Sequence, residues 1–176
     1  MERQGKGVAL LGVGESSDAY HMSTPHPSGQ GIALAIRNSL GNAAVLPTEI
    51  TYVNLHGTGT LLNDQGEGKA IAETLGTTVP VSSTKAMTGH LLGAAGSTEA
   101  GFCYLIVQSR KSFEQDRDMI KLPPHCWDGH LDPLIPPLHF VGKESRISRP
   151  IRLICLSVSA AFGGSNCALL FGETEG

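Results

Sequence analysis

Two histidines stand in settings that suit chemistry: His56 in VNLHGTGT and His90 in VSSTKAMTGHLLGAAGSTEA. An imidazole flanked by glycine can be approached closely by backbone and ligand alike, and the hydroxyls of Thr58 and Thr60 can donate hydrogen bonds beside it. His56 could serve as an Nε2–H donor or an acid/base, or it could simply satisfy backbone groups in a tight turn. Spacing alone leaves both open. His90 is expected at a helix start, where the helix dipole disfavours imidazolium. A neutral ring there can donate one hydrogen bond to a developing oxyanion. Lys85 and Glu99 could pair as buried charges that fix this loop, or be ordinary surface residues.

Other candidates carry less. His125, Cys126, His130 and His139 follow no standard zinc spacing, and the prolines between them scatter the side chains, so no metal site is expected. GVALLGVG does not match GxGxxG and does not precede a helix, so no dinucleotide or other cofactor is expected. The four cysteines, Cys103, Cys126, Cys155 and Cys167, include no CxxC pair. Cys103, Cys155 and Cys167 lie in apolar segments and read as buried thiols.

The elements that must position these residues follow from periodicity. Gly7 to Gly14 reads as a buried strand. A helix is expected from about Gly29 to Leu40, capped by Ser28, with Ile32, Ala35, Ile36 and Leu40 on one face and Gly41 as its stop. Ile50 to Leu55 reads as a strand. Asp64 is expected to cap a helix that ends at Gly76 and buries Ala70, Ile71 and Leu75. VPVSS is a short strand. A long helix rich in small residues is expected from His90 to Arg110, buried on most faces. Lys111 to Pro150, which holds KLPPHCWDGHLDPLIPPLHF, reads as an extended, ordered surface segment. Ile151–Ser159 and Cys167–Phe171 read as an antiparallel hairpin across AFGGSN. The order β-α-β-α-β-α-β-β predicts a mixed α/β sheet, largely parallel and flanked by helices. Sites in such sheets lie beyond the carboxyl ends of the strands, where the loops HGTGT, TKAMTGH and AAFGGSN can meet.

The totals exclude several classes. A length of 176 residues suits one domain with a real core. The net charge is −3 with no basic stripe, so nucleic acid is not expected as a partner. No signal peptide is expected at MERQGKG, and no stretch reaches transmembrane length. A reduced, cytoplasmic protein away from membranes is the expectation.

Four motifs in order resemble the C-terminal half of the β-ketoacyl-ACP synthases of the thiolase-like superfamily. SSDAYHMSTPHPSGQG is similar to the family's SSDAYHMT-P-x-x-x-G, and HGTGTLLNDQGE to HGT-T-x-x-GD-x-x-E. VSSTKAMTGHLLGAAGSTEA resembles the lysine–histidine motif along its length, and SAAFGGSN resembles SFGFGGTN. The resemblance spans residues 1–176 as one C-terminal domain with a thiolase-like half fold. It implies that His56 and His90 hydrogen-bond a malonyl thioester carbonyl, promote decarboxylation and stabilise the enolate. It further implies that Lys85 and Glu99 form a structural ion pair, that Phe162 gates the acyl pocket and that Asp64 is structural. Thr58 and Thr60 belong to the substrate loop. The implied partners are an acyl carrier protein bearing malonyl or acyl groups, and an N-terminal ketosynthase half or dimer partner.

The departures also matter. Asn63 stands where the family usually has glycine, and Ala160 and Ala161 where it often has Phe-Gly. The family's nucleophilic cysteine lies in an N-terminal half, and none of the four cysteines here has its context. Condensation needs that thiolate, so this chain by itself is expected to be inactive and to expose the face of its Gly/Ala-rich helix. LPPHCWDGHLDP resembles bacterial synthases of aryl-polyene and polyketide clusters. The competing expectations are a catalytic histidine half in fatty acid or polyketide-type synthesis, a non-catalytic interaction or chain-length-determining subunit, and an inactive fragment.

Overall fold

A computed structural model describes residues 7–109, 119–148, 150 and 152–173. Its strands are β1 (Val8–Ser17), β2 (Tyr52–Asn54), β3 (Pro80–Ser82), β4 (Met119–Lys121), β5 (His139–Phe140), β6 (Arg146–Ser148), β7 (Ile154–Ala160) and β8 (Ser165–Glu173). The helices are α1 (Gln30–Ala43), α2 (Leu61–Leu75), a single turn α3 (Lys85–Thr88) and α4 (Ala95–Ser109).

Six strands form one sheet in the order β1-β8-β7-β2-β3-β5. β7, β2, β3 and β5 run parallel to one another, while β8 is antiparallel to both β7 and β1. The mixed α/β sheet flanked by helices therefore stands as expected. The first strand, however, joins the antiparallel end rather than the parallel one.

Period-2 alternation sorts side chains to the two faces. Val53 of β2 and Leu156 of β7 pack with Ile32 and Ile36 of α1 and Ile71 of α2. Their neighbours Tyr52 and Cys155 point the other way and pack with Cys103 and Val107 of α4. The sheet is thus covered on both faces, as expected for central parallel strands.

Two of the glycines in GVALLGVG serve packing. A Cβ on Gly12 would lie 2.4 Å from Ser39 O, and one on Gly14 would lie 2.0 Å from Ala35 O. The missing side chains let α1 lie directly on β1. Gly29 does the same between helices. It has φ 71°, and a Cβ there would lie 2.0 Å from Gly66 O of α2. Gly29→Ala is expected to destabilise the fold by about 2–3 kcal/mol, from left-handed strain plus a collision with immobile backbone. The readout is a lower denaturant midpoint at constant m-value; an unchanged midpoint would show that α1 and α2 separate freely.

Several boundaries differ from expectation. α1 is preceded by Gly29, not capped by Ser28, and it runs past Gly41 to a left-handed Ala44. Thr60, not Asp64, stands at the start of α2, and Asp64 falls inside its first turn. The helix expected from His90 starts at Ala95, after α3 and a 3₁₀ turn at Leu92–Ala94; Arg110 lies outside the described residues. Within the proline-rich stretch, β5 joins the main sheet and β4 pairs with β6. Residues 111–118 and Arg149 of that stretch, and Ile151 of the last hairpin, lie outside the described residues. Among the described residues no helix is long and apolar enough to cross a membrane.

Candidate active site

β7, β2 and β3 are parallel neighbours, so the loops that follow them leave from one edge of the sheet. His56 comes two residues after β2, and Lys85 and His90 follow β3.

The His56 loop is anchored from below by α2. The backbone N–H groups of His56 and Gly57 each donate to the Glu67 carboxylate, both at 2.7 Å. Glu67 is buried, and burial pushes its carboxyl up to about 7 against the pull of those two bonds. The loop is held from the side by Ser83, whose hydroxyl donates to Gly57 O at 2.7 Å and accepts from Lys85 N at 3.3 Å.

Lys85 is buried and sits at the centre of the cluster. Its ammonium donates to the Glu99 carboxylate and to the backbone oxygen of His56. It also lies 3.3 Å from His56 Nδ1. An ammonium has only donors, so Nδ1 accepts and the ring proton of His56 resides on Nε2. Burial, then the charge of Lys85, then His90 push the His56 imidazole down to about 3. The ring is therefore neutral at physiological pH, with its one N–H free to donate to an oxyanion. The His90 ring meets it edge to face, with centroids 5.5 Å apart at 84°. His56 is only 7% exposed, whereas His90 is exposed. His90 lies beyond the reach of the α4 dipole, because α4 begins five residues later and the dipole acts only within the first turn.

The third loop is tied to the segment after β1. Gly163 N donates to Met22 O and Asp18 N to Gly164 O, both at 2.7 Å. Asp18 also accepts from the Asn166 amide at 2.8 Å and from His26 N at 2.9 Å. DAYHM and FGGSN are thus two halves of one locked corner. Phe162 projects from it, 76% exposed.

The structure therefore gathers His56, His90, Lys85 and Glu99, all four named from sequence. The Thr58 and Thr60 hydroxyls bond each other at 2.7 Å. Thr58, Asp64, Lys85, His90, His125 and Trp127 help line a cleft of about 840 Å³, which Thr60 and Phe162 do not line. Asn63, the departure from glycine, is buried and donates to Asp64 at 3.0 Å. Sequence reasoning gave no role to Glu67, Ser83, Asp18 or Asn166. A usable signal for Glu67 was an acid set directly between two glycines, QGEGK, one turn before the apolar Ala70 and Ile71.

Among the described residues no group of three or more His, Cys, Asp or Glu side chains could hold a metal ion. Cys103 and Cys155 are buried free thiols. Burial pushes Cys103 up to about 12 and Cys155 well above the ordinary thiol range. Neither is an activated thiolate. Cys167, expected to be buried, is only half-buried, and its thiol is also pushed up by burial.

Residues 8–114 match the family model described as "Beta-ketoacyl synthase, C-terminal domain". The chain is 43% identical over 167 residues to 3-oxoacyl-[acyl-carrier-protein] synthase 2 of Coxiella burnetii, covering 93% of this chain and 37% of that protein. It is 43% identical over 169 residues to the Staphylococcus aureus protein of the same name, covering 94% and 38%. A solved structure of the ketosynthase ApeO in complex with its chain length factor ApeC, from Xenorhabdus doucetiae, is similar with a TM-score of 0.83. That match has 44% identity and covers 98% of this chain and 40% of the other. The chain thus spans under two fifths of the length of these curated relatives. A family match over more than half of its residues, on a fold with this sheet order, means that the chain belongs to the β-ketoacyl synthases, as a C-terminal domain of that family.

Proposed function

We propose that this domain supplies the two-histidine half of a condensing acyltransferase site that joins malonyl-ACP to an acyl thioester, in fatty acid or polyketide-type synthesis. The observation that carries the reading is the facing pair His56 and His90, with His56 Nδ1 occupied by Lys85. The Nε2–H groups donate to the malonyl thioester oxygen. The bond between Cα and the carboxylate then breaks, CO₂ leaves, and the electron pair becomes an enolate whose oxygen the two donors hold. The enolate carbon attacks an acyl group carried on a cysteine, and the thiolate departs.

The thiolate comes from an N-terminal ketosynthase half: Cys103 and Cys155 are buried with thiols pushed up by burial, and neither Cys126 nor Cys167 stands in the motif context of the family's nucleophile. Leu91, Leu92 and Leu105 are 43%, 68% and 55% exposed around α4, an apolar surface consistent with such a partner. The Lys85–His56 arrangement favours catalysis over a purely chain-length-determining role, which has no chemical need for a fixed imidazole tautomer.

His56→Ala and His90→Ala in the enzyme that includes the nucleophile-bearing half are each expected to lower malonyl-ACP decarboxylation about hundredfold, the usual loss for one oxyanion donor. Wild-type turnover in both variants would instead favour the non-catalytic reading.

A further inference from the structure

The proline-rich segment approaches the site from outside the sheet. Here the parallel edge runs short. β5 pairs with β3 only at Pro80↔His139 and Val81↔Phe140, and Val141 N then donates to Val81 O at 3.0 Å. Ser83 lies two residues beyond Val81, so its N–H emerges on the same edge, past the last β3–β5 pair. The His125 ring takes that place: Ser83 N donates to His125 Nδ1 at 3.1 Å. His125 is itself held by the same edge, since its backbone N–H donates to Val141 O at 2.8 Å. Its ring stacks on Phe140 at 4.6 Å and 27°, and Trp127 lies 5.5 Å away. A side chain so enclosed has little freedom to rotate.

We infer that His125 is a positioning residue for the histidine site: by accepting the Ser83 N–H, it holds in register the loop that carries Lys85, and through Lys85 it orients His56. The inference rests on the role proposed above for His56. The chain of contacts is continuous. Ser83 Oγ holds Gly57 O and Lys85 N, and Lys85 Nζ holds the His56 backbone oxygen and lies beside its Nδ1. Acceptance at Nδ1 requires a neutral ring, and burial pushes His125 below the ordinary imidazole range. A small displacement of a supporting loop is enough to misplace a donor in the transition state while leaving substrate binding intact.

The test uses the complete condensing enzyme and malonyl-ACP, with kcat and KM read separately. His125→Asn keeps an acceptor at the same distance from Cβ as Nδ1. His125→Gln moves the acceptor one atom further out. His125→Phe keeps the aromatic stack and removes the acceptor. The expected result is a roughly tenfold lower kcat with unchanged KM for His125→Phe and His125→Gln, and a return to within about twofold of wild type for His125→Asn. Wild-type kcat in His125→Phe, or equal impairment of the Asn and Gln variants, overturns the inference. If the Phe variant does not fold, the Asn–Gln comparison decides alone. His56→Ala in the same assay separates the two readings. If it abolishes decarboxylation while His125→Phe is normal, only the positioning role fails. If His56→Ala is normal, both fail.

Discussion

Lys85→Met is expected to destabilise the domain by about 3–5 kcal/mol, the cost of leaving one member of a buried ion pair uncompensated. Methionine keeps the apolar stem, so the loss is not one of packing. Glu99 is 2% exposed, and its Oε2 has no hydrogen-bond partner among the described residues. Lys85 thus makes the contact that compensates its charge. Burial already raises the Glu99 carboxyl above its ordinary value against the opposing pull of Lys85, and removing the ammonium drives it further up. Denaturant unfolding of the whole enzyme measures the cost. A double variant, Lys85→Met with Glu99→Leu, removes both charges and should recover most of the stability. It should not recover decarboxylation, because His56 Nδ1 still lacks its donor. Recovery of both would show that Lys85 acts only by neutralising Glu99. Loss of stability in the single variant below about 1 kcal/mol would show that the pair is hydrated.

Glu67→Ala is expected to cost about 2–5 kcal/mol, because the His56 and Gly57 N–H groups lose their acceptor together and an unpaired buried amide costs about 1–3 kcal/mol. Glu67→Gln should cost about half as much. Its carbonyl can accept one N–H, but its NH₂ faces the other. The pH dependence separates charge from geometry. The Glu67 carboxyl in the folded chain lies near 7, above its reference value of 4.5, so folding retains its proton between those values. Its contribution is therefore full below about 4.5 and declines as the pH rises through about 7. Glu67→Gln removes this slope. Urea midpoints from about pH 4 to 8 measure it, and parallel slopes in wild type and Glu67→Gln would show that the carboxylate stays ionised throughout. Decarboxylation should fall in both variants, since α2 sets the height of the His56 loop.

Much of this site is legible in local order. HGTGT, STKAMTGH and GSTEA place a histidine after a strand, a lysine and histidine after the next, and an acid in the following helix. The distances along the chain are short enough that the folded loops meet. The hydrophobic periods likewise set α1, α2 and the β7–β8 hairpin, because Ile32 and Ile36, and Ile71 and Leu75, repeat at helical spacing, and ICLSVSA is a largely apolar run.

Boundaries were less legible. TGHLLGAAGSTEA has no residue that marks where the helix begins, since glycines, alanines and leucines are compatible with a turn or a helix. The turn wins at His90, and α4 starts only at Ala95. Asp64 looks like a cap by type, but the cap position falls at Thr60, one turn earlier.

What the sequence determined by itself is the chemistry on offer: two imidazoles, one lysine and one glutamate, each carried in a motif that dictates its own local fold. Tertiary structure alone decided how they are oriented. Glu67 beneath the His56 loop, Asn166 on Asp18 across 148 residues of chain, and His125 finishing the open edge of β3 are all pairings between separate segments. Nothing in local periodicity encodes them. Each exists because a buried N–H or carboxylate at the end of a strand must find a partner, and only the packed chain shows which one is within reach.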